Sequence, residues 1–203
     1  EHPQALINRA QYGAAAEHPA LGAADYKLAL HLPSGRSVYT FCMCPGGTVV
    51  AAASEENSVV TNGMSYYARD GVNANSALLV GVGPEDFGSE HPLAGMFLQR
   101  RIEQKAFVLG GQTGYAPCQT VGDLLAGHAS GKLGCVQPSY KPGVVPCDLS
   151  ELLPLPLIDA MREAIPMLGR RLHGFDFPDA VLTGPETRSS SPVRIPRGEN
   201  LES

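Results

Sequence analysis

The feature that most constrains the fold of this chain is a series of short β-forming runs in its first half. Glycine, proline, serine and asparagine bound the runs, in turns such as "PSGR" and "CPGG". In the first run, apolar side chains alternate with other residues, as expected for a strand with one buried face. The five runs are 26–32, 37–43, 48–54, 58–65 and 76–82. Their nearly regular spacing predicts an antiparallel, meander-like sheet.

The second half carries helical patterns in place of short strands. The three predicted helices cover 91–111, 119–128 and 157–172. Pro92 suits the first turn of the first helix, and Gly110 suits its C-terminal cap. In the third helix, apolar residues recur every three or four positions. Pro166 interrupts that pattern, so we expect it to kink or split the helix.

The order of these patterns predicts the fold class. After the helices, one more strand is predicted near residues 177–184, followed by a polar, extended segment at 185–197. Strands, then helices, then a last strand favour an α+β fold, with the helical segment packed on the antiparallel sheet. We expect a single domain over 1–203. Its parts are 20–84, mainly strands, 90–175, mainly helical, and 176–203, a return strand and a polar tail.

Charge and composition argue against several classes of partner. The net charge of −5 and a pI of ≈ 5.6 do not suit binding to nucleic acid or to an anionic membrane. No apolar run reaches the roughly 20 residues that a membrane helix needs, and no signal-peptide pattern opens the chain. Five cysteines make an odd count without a disulfide framework. We therefore expect reduced thiols and a cytoplasmic location.

The segment "FCMCPGG" at 41–47 allows three interpretations of its cysteines. Cys42 and Cys44 could share one face of a strand as part of a metal site, form a redox pair, or be plain buried thiols. A structural zinc site usually takes four ligands from paired motifs, and the other cysteines stand alone. No cationic neighbour in the sequence suggests a lowered thiol pKa. Buried thiols are the favoured interpretation, and we predict no metal site.

The turn that follows these cysteines is a candidate ligand-binding feature. Pro45 before Gly46 fits the central positions of a type II turn, where glycine adopts positive φ. Two successive glycines, Gly46 and Gly47, would leave peptide N–H groups free to touch a flat or anionic ligand. An ordinary hairpin connection is the alternative, and the pattern alone does not decide between them.

Two polar segments supply further candidate binding residues. In "PETRSSSPVR", Arg188 lies beside Thr187 and three serines, a set of donors suited to an anion or a carbonyl-rich ring. In "TNGMSYYARDG", Asn62 and Arg69 lie at a strand end. A solvated loop and a simple turn, respectively, are the alternative interpretations.

Nucleotide-binding and nucleophile motifs are weak in this chain. "GVGPED" lacks the third glycine of a dinucleotide-binding fingerprint, and "LGGQTG" follows a predicted helix rather than a strand. There is no Walker A sequence. "GMSYY" lacks the final glycine of a nucleophile elbow. The chain therefore carries no recognisable nucleotide-binding fold of its own.

Taken together, several strings resemble the uncharacterised bacterial FAD-dependent dehydrogenases, also called NAD(FAD)-utilising dehydrogenases. The strings that carry this resemblance are "INRAQYG", "YTFCMCPGGTVVAAASEENSVVTNGMSYYARDG", "PSYKPGV" and "VLTGPETRSSSPVRI". The strings lie between residues 7 and 195, and the resemblance covers nearly the whole chain.

The resemblance implies that the sequence is an internal part of a larger flavoprotein. In such proteins a Rossmann-type FAD domain comes first, and the chain then detours into a substrate-side domain. This sequence begins without an initiator methionine and lacks the glycine-rich FAD fingerprint, as expected for the detour. Its partners would be the FAD-binding domain of the same polypeptide and an unknown small-molecule substrate. We do not expect the isolated chain to retain FAD or to be active.

The resemblance also gives the candidate residues roles by position. The residues predicted to bind the cofactor are Cys44, Pro45, Gly46, Gly47, Arg188, Ser189 and Ser190. Asn62 and Arg69 are predicted to bind substrate, and no catalytic residue is assigned. The predicted function is a substrate-binding or cap domain that forms one wall of the pocket of an FAD-dependent oxidoreductase. The alternative is a non-catalytic ligand- or protein-binding module without flavin.

Overall fold

The computed structural model describes residues 1–200, which form three sheets and four α-helices. The main sheet has the order β1-β6-β3-β2 with every pair antiparallel. Its strands are β1 (His2–Pro3), β2 (Ala29–His31), β3 (Ser37–Cys44) and β6 (Asn73–Val80). A separate two-stranded sheet is formed by β4 (Gly47–Ala51) and β5 (Thr61–Ser65). The α+β class predicted from the sequence is confirmed.

The five predicted strands all form, but their pairing does not follow chain order throughout. The first two pair as a hairpin, and the next two pair with each other as β4 and β5. The fifth returns to pair with the second, as β6 with β3. A β-bulge between Phe41 and Cys44 shifts the register at the end of β3, and Cys42 takes φ +47° there. The bulge and the turn that follows lead the chain out of the main sheet.

A third sheet connects the second half of the chain with its end. Its central strand β7 (Ala116–Thr120) pairs in parallel with β8 (Val144–Pro146) and antiparallel with β9 (Val181–Thr183). The last strand was predicted, and β9 confirms it. The sequence pattern did not predict β7, whose "APCQT" contains proline and glutamine although every residue is buried. Gln119 satisfies its buried amide by bonding to the backbone at His128 and Leu149.

The helices agree with the sequence pattern except at the N-terminal end. They are α1 (Gln4–Tyr12), α2 (Ala94–Leu109), α3 (Val121–Ala126) and α4 (Leu155–Gly169). The three predicted helices correspond to α2, α3 and α4, whereas α1 was not predicted. Pro166 does not split α4, contrary to one of the two expected outcomes. Its ring is exposed while Ile165 and Leu168 are buried, so water can reach the backbone carbonyl that loses its partner.

Helix α4 separates two groups of buried apolar side chains. Ile158 and Ile165 belong to the cluster that joins α4 to α2 and β7. Ala164 and Leu168 belong to the cluster that joins α4 to α1 and the main sheet. Because α4 is apolar on both sides, the main sheet packs against one side of this helix and the third sheet against the other. A cavity lined in part by Met161 and Ile165 of α4 lies beside this helix.

None of the helices in residues 1–200 combines the length and apolar character needed to cross a bilayer.

Candidate functional site

A cavity of about 460 Å³ lies between the main sheet, α2, α4 and the final segment of the chain. This volume falls within the range of about 300–1,000 Å³ that is usual for small-molecule sites. Apolar side chains that line it include Leu78 of β6, Leu98 and Ile102 of α2, Met161 and Ile165 of α4, and Leu182 of β9. The cavity therefore suits a ligand that is largely apolar.

One end of the cavity contains polar side chains that lack partners. In residues 1–200, two buried side-chain polar atoms form no hydrogen bond, namely Asn75 Nδ2 and Thr183 Oγ1, and both residues line the cavity. Asn75 is only 3% exposed. A buried donor without a partner costs roughly 1–3 kcal/mol, so proteins seldom retain one without a reason. Two such atoms on residues of one cavity wall are the arrangement expected of a binding site for a polar group, which would form the missing hydrogen bonds.

Backbone contacts bring the return segment to this polar end. Thr61, at the start of β5, donates from its backbone nitrogen and its hydroxyl to the carbonyl of Pro185, at 2.8 and 3.1 Å. This pairing places Glu186 beside Asn62 and Gly63 in the cavity wall. Gly63 packs so closely on Asn75 that a side chain there would overlap the Asn75 amide. Together, β5, β6 and residues 183–186 form the polar end of the cavity.

Glu186 is the acidic side chain of this polar end. The carboxyl is half-buried, and burial raises its pKa from 4.5 to about 7. The side chain can therefore hold or release a proton near neutral pH. A carboxyl with such a pKa can donate a proton to a bound molecule or accept one from it.

Replacing Glu186 by glutamine is expected to stabilise the chain by about 1–2 kcal/mol at about pH 8 and to change nothing at about pH 4. Between pH 4.5 and about 7 the unfolded chain releases this proton before the folded chain does, so the natural protein loses stability as pH rises through that window. The full pKa shift of Glu186 corresponds to roughly 3 kcal/mol of folding free energy. We expect a smaller effect, about 1–2 kcal/mol, because water reaches the partly exposed carboxyl. Urea unfolding across this pH range measures the difference.

The exposed Glu56 provides the control for this experiment, because Glu56→Gln removes a carboxyl that is in contact with water. An equal effect of Glu186→Gln at low and high pH would contradict the raised pKa.

The cavity wall contains no arginine or lysine among residues 1–200. His2 also lines the cavity, and burial lowers its pKa to about 4. Its imidazole is consequently neutral at physiological pH. The described part of the wall therefore has no side-chain cation with which to pair an anionic ligand.

The predicted bare turn is buried against the chain itself. Cys44, Pro45, Gly46 and Gly47 are all buried. The Gly46 N–H donates to Gln4 Oε1 at 2.7 Å, and the Gly46 carbonyl accepts from Gly71 N–H at 3.2 Å. Gly47 pairs with Ser65 as the first residue of β4. The two glycines thus allow backbone to approach backbone, and this packing accounts for them without a ligand. Their predicted cofactor contact stays a prediction.

The cysteines do not form a reactive pair. All five cysteines are free. Cys44 is buried, but Cys42 is exposed, so the interpretation of Cys42 as a buried thiol is wrong. Cys44 Sγ donates to the Cys42 carbonyl at 3.1 Å, and burial, with Cys42 adding to it, raises the pKa of the Cys44 thiol to about 11. It is therefore a thiol at neutral pH rather than the thiolate that redox chemistry needs. Within residues 1–200, no group of three or more His, Cys, Asp or Glu is placed to hold a metal ion.

Arg188 lies outside the cavity and forms an ion pair. Its Nε and Nη2 each donate to one carboxylate oxygen of Glu103 at 2.6 Å. The Thr187 hydroxyl also donates to Glu103, which is 0% exposed on α2. Ser189 and Ser190, by contrast, line the cavity. The structure therefore separates Arg188 from the two serines with which it was grouped.

The two predicted substrate residues also lie apart. Asn62 lines the cavity, and its Oδ1 accepts from the Gly63 N–H at 2.7 Å. Arg69 is exposed in a turn with φ +52°, and its carbonyl packs against Gly46. Of the nine predicted residues, the cavity wall contains Asn62, Ser189 and Ser190.

Sequence comparison places the chain in a family. The family described as "FAD-dependent protein, C-terminal domain-like" matches residues 1–189. The chain belongs to this family. An uncharacterized protein from Clostridium beijerinckii is 53% identical to this FAD-dependent family member over 204 residues. The alignment covers 100% of the chain and 38% of that relative, so the chain spans well under half of the relative's length.

The residues of this FAD-dependent family member fit only part of the cofactor that the family name implies. The apolar walls and the unpaired Asn75 amide suit a flat, uncharged ring with carbonyl groups. A diphosphate needs cations or a glycine-rich loop at a helix N-terminus, and the described wall has no cation. The cavity thus fits the ring end of a flavin or an adjacent substrate, but not the phosphates.

The sequence pattern missed three residues of the polar end. Asn75 lies within β6, Thr183 within β9, and Glu186 in the polar return segment. Nothing local distinguishes these residues, because their proximity depends on contacts between distant strands. The one available signal was "PETR", in which an acidic residue directly follows a proline located two residues after the end of β9.

Proposed function

We propose that this chain is the substrate-side domain of an FAD-dependent oxidoreductase and that its cavity forms one wall of the flavin and substrate pocket. The observation that carries the proposal is a mainly apolar cavity whose polar end has two buried, unpaired side-chain atoms, in a chain of an FAD-dependent family. The FAD-binding domain of the same polypeptide would supply the rest of the pocket.

The residues that line the cavity indicate which roles this chain has and which roles the FAD-binding domain has. Bound FAD would supply the electron transfer, while this chain excludes water and orients the substrate. Leucine, isoleucine and methionine side chains exclude water from the cavity. Asn75 and Thr183 offer hydrogen bonds that hold a polar group in one orientation. Glu186 can hold or release one proton at its carboxyl near neutral pH.

An exposed apolar stretch supports contact with a second domain. Met64, Tyr66, Tyr67 and Val72 are all exposed, and Tyr67 is fully so. Exposed aromatic and apolar residues gathered in one segment are typical of surfaces that another protein or domain covers. We propose that the FAD-binding domain covers this segment. A module that binds another protein without flavin is the alternative that the same surface favours.

The test compares the full-length polypeptide with two variants. We expect the purified protein to be yellow, with about one FAD per chain. Thr183→Val removes the unpaired hydroxyl at constant size. We expect it to shift the visible absorption spectrum of the flavin, or to change the rate of flavin reduction at least twofold. Ser34→Ala changes an exposed turn residue and is the control.

Two results would overturn the proposal. A colourless but folded full-length protein would favour the binding module without flavin. If the protein is yellow and Thr183→Val changes neither the flavin spectrum nor the rate of flavin reduction, the flavin lies away from this cavity.

A further inference from the structure

The unpaired amide in the cavity wall specifies one feature of the ligand. Asn75 is almost completely buried, and its Nδ2 donates to no group in residues 1–200. It lies on β6 at the polar end, beside Gly63 and close to the return segment. An amide N–H₂ group is a donor only. The group that satisfies it must therefore be an acceptor such as a carbonyl, ether or hydroxyl oxygen.

The charges around the cavity exclude one class of acceptor. A carboxylate or phosphate would also accept from Asn75, but no arginine or lysine in the described wall would neutralise it. The same anion would face the carboxyl of Glu186 in a partly desolvated space. Arg188, the nearest cation in the sequence, is committed to Glu103. Burying an unpaired anion is strongly unfavourable.

The remaining wall defines the body of the ligand. The larger part of the wall is apolar, and leucine, isoleucine and methionine side chains from β6, α2, α4 and β9 contribute to it. The volume of about 460 Å³ admits a molecule of one or a few rings, or a short branched chain. A polar body would lose its hydration against these walls without new hydrogen bonds.

We infer that the cavity binds an uncharged, mainly apolar molecule through a carbonyl or hydroxyl oxygen that accepts a hydrogen bond from Asn75 Nδ2. Thr183 Oγ1 is also buried and unpaired, belongs to a residue of the same cavity wall, and can donate to a second oxygen of the molecule. The inference rests on the proposed function only in identifying this molecule as the substrate of the flavoprotein. Binding of the molecule is a separate property and is tested separately.

The experiment measures the binding of four small fluorinated probes to the full-length protein by fluorine NMR. The probes are para-fluoroacetophenone, para-fluoroethylbenzene, para-fluorobenzoate and para-fluorobenzylamine. They share a para-fluorophenyl ring and differ in its second substituent. In the order given, that substituent is a neutral hydrogen-bond acceptor, an apolar group without an acceptor, an anion and a cation. We expect the ketone to bind about fivefold or more tightly than the hydrocarbon, as one added neutral hydrogen bond would give. We expect both charged probes to bind more weakly than the ketone.

Two variants test the assignment to Asn75. Asn75→Leu keeps the approximate shape and removes the donor, so we expect ketone affinity to fall about fivefold while hydrocarbon affinity stays within twofold. Asn57→Gly is the control, because Asn57 is exposed with φ +53°, a conformation that glycine adopts freely. Thr183→Val is a second cavity variant should Asn75→Leu fail to fold, and it is expected to weaken ketone binding in the same direction.

The outcomes separate this inference from the proposed function. Tightest binding of benzoate or benzylamine, or equal binding of ketone and hydrocarbon, would overturn the inference whatever the FAD content. Loss of hydrocarbon affinity in both cavity variants, equal to the loss of ketone affinity, would also overturn it. Ketone selectivity in a colourless full-length protein would support the inference while the proposed function fails.

Discussion

Gly46→Ala is expected to destabilise the folded chain by about 2–4 kcal/mol. Gly46 has φ +51°, where a side chain costs roughly 1 kcal/mol. A Cβ there would also lie closer than 3.0 Å to the backbone of Arg69 and Asp70, a distance that Cβ atoms essentially never show. Backbone cannot rotate away as a flexible side chain can, so the overlap adds the cost of overpacking, about 1–3 kcal/mol or more. Urea unfolding of the 203-residue chain measures the loss.

Gly35→Ala is the matched control for this substitution. Gly35 also has positive φ, +84°, but no atom lies within 4 Å of the added Cβ. We expect a loss of about 1 kcal/mol there from backbone conformation alone. Equal losses at the two positions would show that Gly46 is not packed against the 69–71 segment. A stable Gly46→Ala protein would restore the hypothesis that the turn is bare and faces a ligand.

Arg188→Ala is expected to destabilise the chain by about 2–3 kcal/mol, with or without FAD. The substitution leaves the completely buried Glu103 carboxylate without its bidentate partner. Removing one partner of a buried pair costs about 3–5 kcal/mol. We reduce this value because the Arg188 side chain is 41% exposed and water can replace part of the lost interaction. Thermal or urea unfolding of the isolated chain measures the loss.

Arg100→Ala provides the comparison for a surface pair. Arg100 also forms a bidentate pair, with Glu55, but both side chains are more than a third exposed. We expect a loss of less than about 1 kcal/mol. Combining Arg188→Met with Glu103→Leu removes both charges and should recover most of the stability that Arg188→Ala loses. If Arg188→Ala were no worse than Arg100→Ala, the buried pair would not hold the return segment in place.

The sequence predicted the elements whose signals are local. Runs of β-forming residues between turns became strands, and the apolar spacing of α2 and α4 gave helices within a few residues of their observed ends. Strand β7 was missed because its burial, rather than its composition, makes it a strand. Its proline and glutamine are tolerated because neighbouring strands and the Gln119 hydrogen bonds satisfy the buried groups.

The candidate site was less predictable because long-range contacts create it. The turn "CPGG" suggested a ligand, but its space is filled by residues 69–71 of the same chain. Arg188 suggested an anion site, but its partner Glu103 lies 85 residues earlier. Spacing along the chain cannot reveal such pairs. Asn75 was missed for the same reason, since its unpaired amide becomes evident only once the surrounding strands are assembled.

The hydrogen bonds from Thr61 to Pro185, across 124 residues, have a consequence for biosynthesis. During translation the early strands leave the ribosome long before their closing segment exists. Until about residue 188 has emerged, the leucine-rich interior beside α4 lacks both β9 and the Arg188–Glu103 pair. The nascent chain therefore exposes apolar surface until that segment is made, a state prone to aggregation and to capture by chaperones.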